Sequence, residues 1–437
     1  MTSDPAYLLF YAALLAPALG WHLWSRRRAH ARGVAALGEA AAAGLTEPAS
    51  LHPAIDPSRC LGCGACTKAC PEGEVLGLVG GKARLVNPTH CIGHGACESA
   101  CPFGAIRLVL GSERRGVEIP RVGPDFQTDV PGVFVAGELG GMGLIRNAVE
   151  QGRQCIDAVR RLPGMGRGDA LDVVIVGAGP AGLSASLAAR QHGLRALTVE
   201  QETLGGTVAH YPRGKLVMTR PWELPLHGRV TLRETTKEAL LELWQRVVRS
   251  SGVDVRYEET LESVTRSGDL LELKTSRGVH RARAVVLAIG RRGTPAKLGV
   301  PGEDAPHVVY RLVDPAQYRQ RAVLVVGGGD SALEAALALA SEPGTRVTLS
   351  YRGASFSRAK RENRARIDAE VRSGRIALCL ESRVLEIGRD SVRLGLAAGE
   401  RSIPAEAVLV CAGGVLPAAL LRAIGIGLET KHGTPLR

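Results

Sequence analysis

Two cysteine runs between residues 60 and 102 constrain the fold of this 437-residue chain more than any other feature. The first run reads Cys-x2-Cys-x2-Cys-x3-Cys-Pro, and the second repeats that spacing with a histidine in second place; the positions are Cys60, Cys63, Cys66, Cys70, Cys91, His94, Cys97 and Cys101. Thiolates at this spacing hold iron–sulfur clusters, and in two-cluster ferredoxins the fourth cysteine of each run ligates the other cluster. The pattern therefore predicts one 4Fe–4S cluster on Cys60, Cys63, Cys66 and Cys101. It predicts a second cluster on Cys70, Cys91 and Cys97, with His94 in place of the fourth thiolate.

The histidine leaves three interpretations of the second site open. His94 ligates iron and raises the reduction potential, or three cysteines hold a 3Fe–4S cluster, or the second cluster is absent. A zinc site fits the runs less well, because zinc takes ligands at wider separations. A disulfide scaffold is typical of short secreted chains. We therefore expect iron–sulfur clusters and, because their thiolates must stay reduced, a reducing compartment.

The composition argues against a nucleic-acid partner. The net charge is +12, but aromatic residues are only 4% of the chain and no basic motif is interleaved with them. A nucleic-acid interface is usually marked by such a motif or by a known binding fold. We therefore predict no nucleic-acid binding.

The segment Ala6–Trp24 contains no charged residue. A helix rising ~1.5 Å per residue over this length would nearly cross a hydrocarbon core of ~30 Å. The arginines Arg26–Arg28 follow the apolar run, whereas a cleaved signal peptide carries its positive charge before it. We therefore predict one transmembrane helix in the cell inner membrane, with the N-terminus outside and the catalytic body in the cytoplasm. A buried helix of a soluble domain is the alternative.

A dinucleotide fingerprint occupies residues 171–200. An apolar strand runs into Gly177, Gly179 and Gly182, a helix follows, and a second strand ends at Glu200. The glycines allow a tight turn and close approach of the backbone to a pyrophosphate, and the acid receives the ribose hydroxyls. Because strand, turn, helix and acid are all present, this segment predicts a Rossmann-like unit.

A second fingerprint occupies residues 322–352. Its turn and first helical residues are Gly327, Gly329, Asp330, Ser331 and Ala332. The following strand ends at Arg352, with no acid at the place of Glu200. An arginine there accommodates a 2′-phosphate, so we expect NADPH, with NADH as the weaker candidate.

The two turns, GAGPAG and GGGDSA, resemble those of the thioredoxin-reductase-like flavoproteins, which are class II pyridine nucleotide-disulfide oxidoreductases. The resemblance covers residues 114–437 and implies FAD in the first unit and NADPH in the second. It also implies a loop beside the isoalloxazine ring, at Gly205, Gly206, Thr207 and Tyr211. Gly290 resembles the end of the strand that closes the first FAD segment.

The closing motif of that family is displaced in this chain. The family has GVFAAGD or a similar motif near the C-terminus, in contact with the flavin. Here PGVFVAGE occupies Pro131–Glu138, ahead of the first fingerprint, and a helix is predicted over Leu144–Arg161. We infer a circular permutation, which is tolerated where chain ends lie close together at the surface. By this resemblance, Gly137 and Glu138 contact the flavin.

A second departure concerns the redox cysteines. Thioredoxin reductases carry a CxxC before the second Rossmann strand, whereas His307–Tyr318 contains no cysteine. This region is more similar to the thioredoxin-reductase-like ferredoxin–NADP reductases and the bacillithiol-disulfide-reductase-like proteins. The resemblance therefore excludes a dithiol relay at this position.

The predicted fold is α/β, with two Rossmann-like domains, a small α+β ferredoxin-like module and the transmembrane helix. The predicted boundaries are 1–28 for the anchor, 29–53 for a spacer, 54–110 for the cluster module, 114–294 plus 414–437 for the FAD domain (closing segment 114–162), and 295–413 for the NAD(P)H domain.

The predicted function is electron transfer between NADPH, FAD and two iron–sulfur clusters, with no side chain acting as acid or base. The predicted redox partner is a membrane quinone, a haem protein or a ferredoxin. Two alternatives stay open: flavin-dependent reduction of a small disulfide or another organic acceptor, and a non-catalytic iron–sulfur sensor. The frequent dimerisation of the family suggests a homodimer by analogy.

Overall fold

The structure is a computed structural model that describes residues 5–42, 45–48, 51–91, 93, 95–113, 116–141, 143–211, 213, 216–218, 221–232, 234–291, 294–356, 359 and 361–435. The chain forms two compact units. The first contains the described residues of Met1–Gly116, Ser357–Arg361 and His432–Leu436, and the second those of Val117–Phe356 and Glu362–Lys431.

The described residues form α-helices and β-strands in the following order. The helices are α1 (Pro5–Ala42), α2 (Ala65–Ala69), α3 (Ala96–Ser99), α4 (Ile145–Val159), α5 (Pro180–Gln191), α6 (Lys237–Ser251), α7 (Asp330–Ala340), α8 (Arg361–Arg372) and α9 (Ala418–Ile424). The strands are β1 (His52–Ile55), β2 (Leu76–Val79), β3 (Lys82–Leu85), β4 (Ile106–Leu110), β5 (Val117–Pro120), β6 (Val133–Val135), β7 (Leu171–Val176), β8 (Ala196–Val199), β9 (Leu216–Met218), β10 (Trp222–Leu224), β11 (Gly228–Val230), β12 (Glu234–Thr236), β13 (Val255–Arg256), β14 (Leu261–Ser267), β15 (Leu270–Thr275), β16 (Gly278–Leu287), β17 (Thr294–Pro295), β18 (Val308–Val309), β19 (Ala322–Val326), β20 (Arg346–Ser350), β21 (Ile376–Cys379), β22 (Arg383–Ile387), β23 (Ser391–Leu396), β24 (Gly399–Pro404), β25 (Ala407–Val410), β26 (Gly414–Val415), β27 (Leu428–Lys431) and β28 (Thr434–Pro435).

The first unit contains the cluster module, which is built from two small sheets and two short helices. Strands β2 and β3 form a hairpin whose turn, Gly80-Gly81, has positive φ at both residues. A two-residue turn that matches the twist of the strands requires this conformation. Strand β4 pairs antiparallel with β1 on one side and with β28 on the other. Helices α2 and α3 each follow a glycine in the left-handed region, Gly64 and Gly95.

The predicted transmembrane helix is wrong. Residues 6–24 are the first part of α1, which continues through Arg26–Arg28 to Ala42. Within the part of the chain that the structure describes, no helix combines the length and the apolar character needed to cross a membrane. The reason is that a run without charges is not necessarily an apolar run. Only the larger apolar side chains make insertion favourable, and this segment also contains Pro17, Gly20 and His22. The single-pass inner-membrane location and its orientation are therefore wrong as well, and a membrane quinone or haem partner loses its basis.

The larger sheet of the second unit has the strand order β13-β8-β7-β16-β15-β14, and β6 also pairs with β16. Strands β6, β7, β8 and β13 are parallel to their neighbours, whereas β14, β15 and β16 form an antiparallel meander. Alternate residues of β7 point to opposite faces. Val173 and Ile175 pack in the same cluster as apolar residues of α4 and α5, and Val174 packs with Leu421 of α9. The sheet is thus covered on both faces, as expected for parallel strands.

The second sheet of this unit is entirely parallel, with the order β18-β25-β19-β20-β21. A separate antiparallel sheet, β22-β23-β24, packs against it through a shared apolar core that includes Leu324, Leu394 and Val408. The segments that lead into and out of this region pair with each other as the antiparallel strands β17 and β26. The predicted mixed α/β architecture with two Rossmann-like sheets is therefore present.

Candidate cluster and dinucleotide sites

The first cavity of the cluster module brings together thiols from both cysteine runs. It is lined by Cys60, Leu61, Gly62, Cys63, Gly64, Cys66, Ala83, Cys101, Phe103, Ala105 and Ile106. The loop before α2 approaches the β2–β3 turn so closely that a Cβ added at Gly62 would lie 1.9 Å from the carbonyl oxygen of Gly81. Only glycine allows this approach, which holds the first run against the hairpin.

The second cavity contains the remaining described thiols of the runs. It is lined by Pro53, Cys70, Glu72, Val75, Leu76, Cys91, Gly93, Gly95, Cys97 and Leu108. The three thiols are those that the sequence predicts for the second cluster. His94, the predicted fourth ligand, lies outside the described residues.

The thiols of both cavities lie in an apolar environment. Burial raises the pKa of Cys66 and of Cys91 to about 11, and neighbouring thiols add to the effect. Burial also raises the pKa values of Cys70 and Cys97. Such thiols lose their protons when they bind a metal, so binding and deprotonation are coupled.

The backbone around the first cavity supplies donors to sulfur. The amide of Ala83 donates to Cys60 Sγ at 3.4 Å, and the amide of Ala105 donates to Cys101 Sγ at 3.3 Å. Hydrogen bonds to sulfur, together with an apolar shell, are typical of iron–sulfur sites. In the described part of the module, no three His, Cys, Asp or Glu side chains converge as the ligands of a single metal ion do. The thiols are spaced around the cavities, and this donor set fits a cluster.

The first fingerprint forms the turn between β7 and α5. Gly177 donates its amide to the carbonyl oxygen of Val199 at 2.7 Å, which joins the turn to the end of β8. A Cβ added at Gly182 would lie 1.8 Å from the carbonyl oxygen of Gly177. Gly179, by contrast, faces open space apart from Gly206 at 3.8 Å. These contacts match the separate roles of the three glycines: tight turn, access for pyrophosphate, and close helix packing.

Glu200 lies beside this turn and is 6% exposed. Its carboxylate accepts hydrogen bonds from the amide of Ala178 at 2.7 Å and from the amide of Glu202 at 2.9 Å. Burial raises the pKa of Glu200, and these amide donors partly oppose the rise. The acid is thus fixed next to the fingerprint, where a ribose is expected. Sequence reasoning missed Tyr257, whose pKa is raised by burial and by Glu200.

The displaced motif lies against the first fingerprint. Strand β6 runs parallel to β16, with Val285–Leu287 opposite Val133–Val135. A Cβ added at Gly137 would lie 2.9 Å from Cβ of Ala181, inside the fingerprint, and Gly137 has a φ of +80°.

The amide of Gly137 donates to Oε1 of Gln151, a residue of α4 that the sequence did not single out. A Cβ added at Gly290 would lie 3.9 Å from the Glu138 carboxylate. The structure thus brings Gly137, Glu138 and Gly290 to the turn.

The predicted isoalloxazine loop also contacts this turn. The amide of Gly205 donates to the carbonyl oxygen of Ala178 at 3.0 Å, and a Cβ added at Gly206 would lie 3.1 Å from Cα of Gly179. Thr207 is the middle residue of the short helical turn Gly206–Val208 that follows. Tyr211 packs against the core that contains Trp222 and Trp244.

A polar cluster near this loop was not predicted. Glu202 pairs with Arg311 at 2.5 Å and with Nε2 of His210 at 3.0 Å. The hydrogen bond from Arg311 lowers the pKa of Glu202. Burial, with the charge of Arg311, lowers the pKa of His210. No spacing rule would have found these three residues, because Arg311 is remote from the other two in sequence.

The second fingerprint has the same construction between β19 and α7. Gly327 donates to the carbonyl oxygen of Ser350 at 2.9 Å, and a Cβ added at Gly327 would lie 2.4 Å from the carbonyl oxygen of Cys411. Ala332 is fully buried and Ser331 is exposed. The Asp330 carboxylate accepts a hydrogen bond from the Asn363 side chain at 2.8 Å.

Arg352 is exposed just beyond the end of β20, two residues after Ser350. The neighbouring Tyr351 ring lies so close to the turn that a Cβ added at Gly328 would come within 2.3 Å of it. Tyr351 therefore lies at the edge of the predicted NADPH site, and Arg352 is the next residue in the chain.

Replacing Gly329 with alanine should weaken NADPH binding while leaving the fold intact. The added methyl group would meet no atom within 4 Å, and the backbone there is extended, so the protein itself accommodates it. The added methyl group would, however, obstruct a pyrophosphate that approaches the second glycine of the fingerprint. We expect the Kd for NADPH to rise about tenfold or more, which is about 1.4 kcal/mol, measured by quenching of protein fluorescence. The control is Gly38→Ala, in α1, which adds a methyl group that also meets no atom within 4 Å. It should leave the Kd for NADPH unchanged. Unchanged NADPH affinity in Gly329→Ala would contradict the assignment.

Comparison with known proteins agrees with this organisation. Residues 174–436 match the family described as pyridine nucleotide-disulphide oxidoreductase, and residues 52–102 match the 4Fe–4S dicluster domain. The chain is 30% identical to a ferredoxin–NADP reductase of Ignicoccus hospitalis over 60% of this chain and 83% of that relative. It is 28% identical to bacilliredoxin reductase Bdr of Bacillus subtilis over 60% of this chain and 82% of that protein.

A solved structure supports the same relationship. The bacillithiol disulfide reductase Bdr from Bacillus cereus is 26% identical, with a TM-score of 0.55 over 62% of this chain and 86% of that one. The resemblance to thioredoxin-reductase-like flavoproteins is thereby confirmed, as is the class of cofactor: flavin, pyridine nucleotide and iron–sulfur. The chain therefore belongs to the pyridine nucleotide-disulphide oxidoreductase family, and it is a flavin- and NAD(P)H-dependent oxidoreductase with an added 4Fe–4S dicluster domain.

Proposed function

We propose that this protein transfers electrons between NADPH, FAD and two iron–sulfur clusters, as a ferredoxin–NADP-reductase-like enzyme with its own ferredoxin-type module. The observation that carries the proposal is the distribution of thiols in the module. Cys101 lines one cavity with Cys60, Cys63 and Cys66, and Cys70 lines the other with Cys91 and Cys97. This crossed arrangement suits two clusters in electron-transfer contact, in a chain that also has fingerprints for two dinucleotides.

The proposed domains follow the predicted boundaries. Residues 54–110 form the cluster module, 114–294 with 414–437 the FAD domain, and 295–413 the NAD(P)H domain. Support for the permuted FAD domain comes from β6, which pairs with β16, and from Gly137, which lies against Ala181. Support for the boundaries at 294 and 414 comes from β17 and β26, which pair where the chain enters and leaves the second region.

The chain's own residues bind and orient the cofactors in this proposal. When bound, FAD takes a hydride, which is two electrons and a proton, from NADPH, and the clusters carry the electrons one at a time. Glu200 would hold the ribose of FAD, and Gly179 and Gly206 would leave room for the pyrophosphate and the ring. Gly329 would admit the pyrophosphate of NADPH, and Arg352 would bind its 2′-phosphate. The second cluster, of either 4Fe–4S or 3Fe–4S type, would take Cys70, Cys91, Cys97 and, in one variant, His94.

Replacing Arg352 with glutamate should weaken NADPH binding much more than NADH binding. The substitution removes a cation and adds an anion next to the expected 2′-phosphate, which NADH lacks. We expect the preference for NADPH over NADH, measured as the ratio of kcat/KM values, to fall by about a hundredfold, or about 2.7 kcal/mol. Arg346→Glu, at the exposed first residue of β20, serves as the charge-matched control and should leave the ratio unchanged. An unaltered ratio in Arg352→Glu would show that the 2′-phosphate is bound elsewhere.

An anaerobic NADPH titration followed by visible absorption and EPR tests the proposed function. We expect the flavin to bleach and cluster signals to develop in the same titration, because electrons reach iron through the flavin. Flavin bleaching without any cluster signal, in protein with full iron content, would contradict electron transfer from NADPH to the clusters.

A second candidate is reduction of a small disulfide at the flavin, which the similarity to Bdr favours. Cys155 and Cys411, two cysteines outside the cluster runs, do not form a dithiol relay that could serve this reaction. Cys155 is fully buried and donates to the carbonyl oxygen of Val135, and burial raises the pKa of Cys411 to about 12. Rapid NADPH-dependent turnover of bacillithiol disulfide, unaffected by loss of the clusters, would favour this candidate.

A further inference from the structure

The two cavities of the cluster module are lined by different residues of β4. Ile106, the first residue of β4, lines the first cavity, and Leu108 lines the second. The strand ends at Leu110. The returning strand β28 pairs with Val109 and Leu110, at this same end. Of the two cavity-lining residues of β4, Ile106 lies farther along the strand from this pairing than Leu108 does.

The surface around the first cavity has an apolar centre. Leu61 and Phe103 both line the cavity, and they remain 63% and 38% exposed. Exposed apolar side chains that are grouped and rimmed by polar residues often mark a protein–protein interaction site.

The rim of this surface is cationic. A Cβ added at Gly104 would lie 3.1 Å from Nη2 of Arg59, and a Cβ added at Gly81 would lie 3.8 Å from Nη2 of Arg26. Lys82 donates its ammonium group to the carbonyl oxygen of Cys60 at 2.6 Å. The nearby carboxylate of Asp56 accepts hydrogen bonds from the amide and hydroxyl groups of Ser58 and keeps its negative charge, against three cationic side chains. We call Arg26, Arg59, Leu61, Lys82 and Phe103 the distal face.

Two acidic residues lie beside the second cavity. Glu72 lines the second cavity and contributes to the raised pKa of Cys91. Glu98 accepts a hydrogen bond from the amide of Leu108, which lines the same cavity. An anionic surface would thus be attracted to the first cavity and repelled from the second.

We propose that the distal face is the docking surface for an acidic one-electron carrier protein. The inference rests on the proposed function, because the first cluster must be reduced before it can reduce a carrier. Small interfaces with a charged rim bind transiently, and complementary charge accelerates encounter. Each encounter oxidises the first cluster by one electron and reduces one carrier by one electron. One NADPH therefore reduces two carriers, giving NADP⁺ and one proton.

The test uses the complete protein and two carriers of opposite charge. The acidic probe is a plant-type 2Fe–2S ferredoxin, and the basic comparator is cytochrome c. Both are mixed in a stopped-flow instrument with protein whose clusters have been reduced by dithionite, so the measurement does not depend on the nicotinamide and flavin steps. The rate constant for carrier reduction is recorded at several ionic strengths.

The test variant is Arg26→Glu/Arg59→Glu, which reverses two charges of the distal face without touching a thiol or Lys82. The matched control is Arg246→Glu/Arg249→Glu, which makes the same change in net charge on the solvent side of α6. Iron content and circular dichroism establish that all variants are folded and loaded. Leu61→Gln, which keeps the charge, tests the apolar centre separately.

For the acidic carrier we expect a rate that falls steeply with salt in the wild type. It should be about tenfold lower at low salt in the distal-face variant and nearly unchanged in the control. Cytochrome c should react faster with the distal-face variant than with the wild type. Equal rates for the distal-face and control variants would overturn the proposal.

The parallel NADPH titration separates the two hypotheses. Failure of NADPH to reduce the clusters, with normal salt-dependent reduction of the acidic carrier after dithionite, would contradict the proposed function and leave the docking surface standing.

Discussion

Replacing Cys101 with serine should abolish the first iron–sulfur cluster, although Cys101 belongs to the second cysteine run. The structure places it in one cavity with Cys60, Cys63 and Cys66, the first three cysteines of the other run. A cluster deprived of one thiolate ligand is lost or converted, so we expect iron content to fall by roughly half and one of the two EPR signals to disappear.

The matched variants make the prediction specific. Cys63→Ser should remove the same signal as Cys101→Ser, because these residues share the first cavity. Cys70→Ser and Cys91→Ser should both remove the other signal. If Cys101→Ser and Cys91→Ser instead affected one common signal, each run would hold its own cluster and the crossed assignment would be wrong.

Replacing Gly182 with valine should abolish FAD binding. A Cβ at this position would lie 1.8 Å from the carbonyl oxygen of Gly177 and 2.8 Å from its carbonyl carbon. Both are backbone atoms of the turn, so neither can move aside as a flexible side chain would. The turn or α5 must therefore shift. We expect a loss of more than about 4 kcal/mol of stability in this domain and protein without flavin, because the turn no longer fits the pyrophosphate.

The flavin-to-protein absorbance ratio and thermal unfolding measure both effects. Gly193→Ala is the control for destabilisation without a clash at the turn, because Gly193 has positive φ but faces open space near the end of α5. It should lower stability by about 1–2 kcal/mol and retain full flavin. A Gly182→Val protein with normal flavin content would contradict the assigned role of this glycine.

Much of the fold was predictable because its signals are local. Gly177, Gly179 and Gly182 between an apolar strand and a helix specify a turn through neighbouring residues only, and the structure has β7, the turn and α5 in that order. The Gly80-Gly81 hairpin was predictable for the same reason, since two adjacent glycines meet the φ requirement of the turn.

The error at the N-terminus also has a physical cause. The absence of charge between Ala6 and Trp24 was treated as apolar character, and the helix was expected to end near the arginines. Arginine is a good helix former, so α1 continues through Arg26–Arg28 instead. Charge and hydropathy of a short window do not determine where a helix ends.

The sequence by itself determined the local devices: the spacing of the thiols, the two fingerprint turns, and the acid or arginine at the end of each following strand. The tertiary structure decided which distant segments meet. It brings Cys101 to the first cavity, Gly137 to Ala181, and Tyr351 to Gly328. It also surrounds the first cavity with Arg26, Arg59 and Lys82, which no motif joins. Spacing rules act over a few residues, whereas these contacts depend on strand order and on glycines whose missing Cβ allows two backbones to touch.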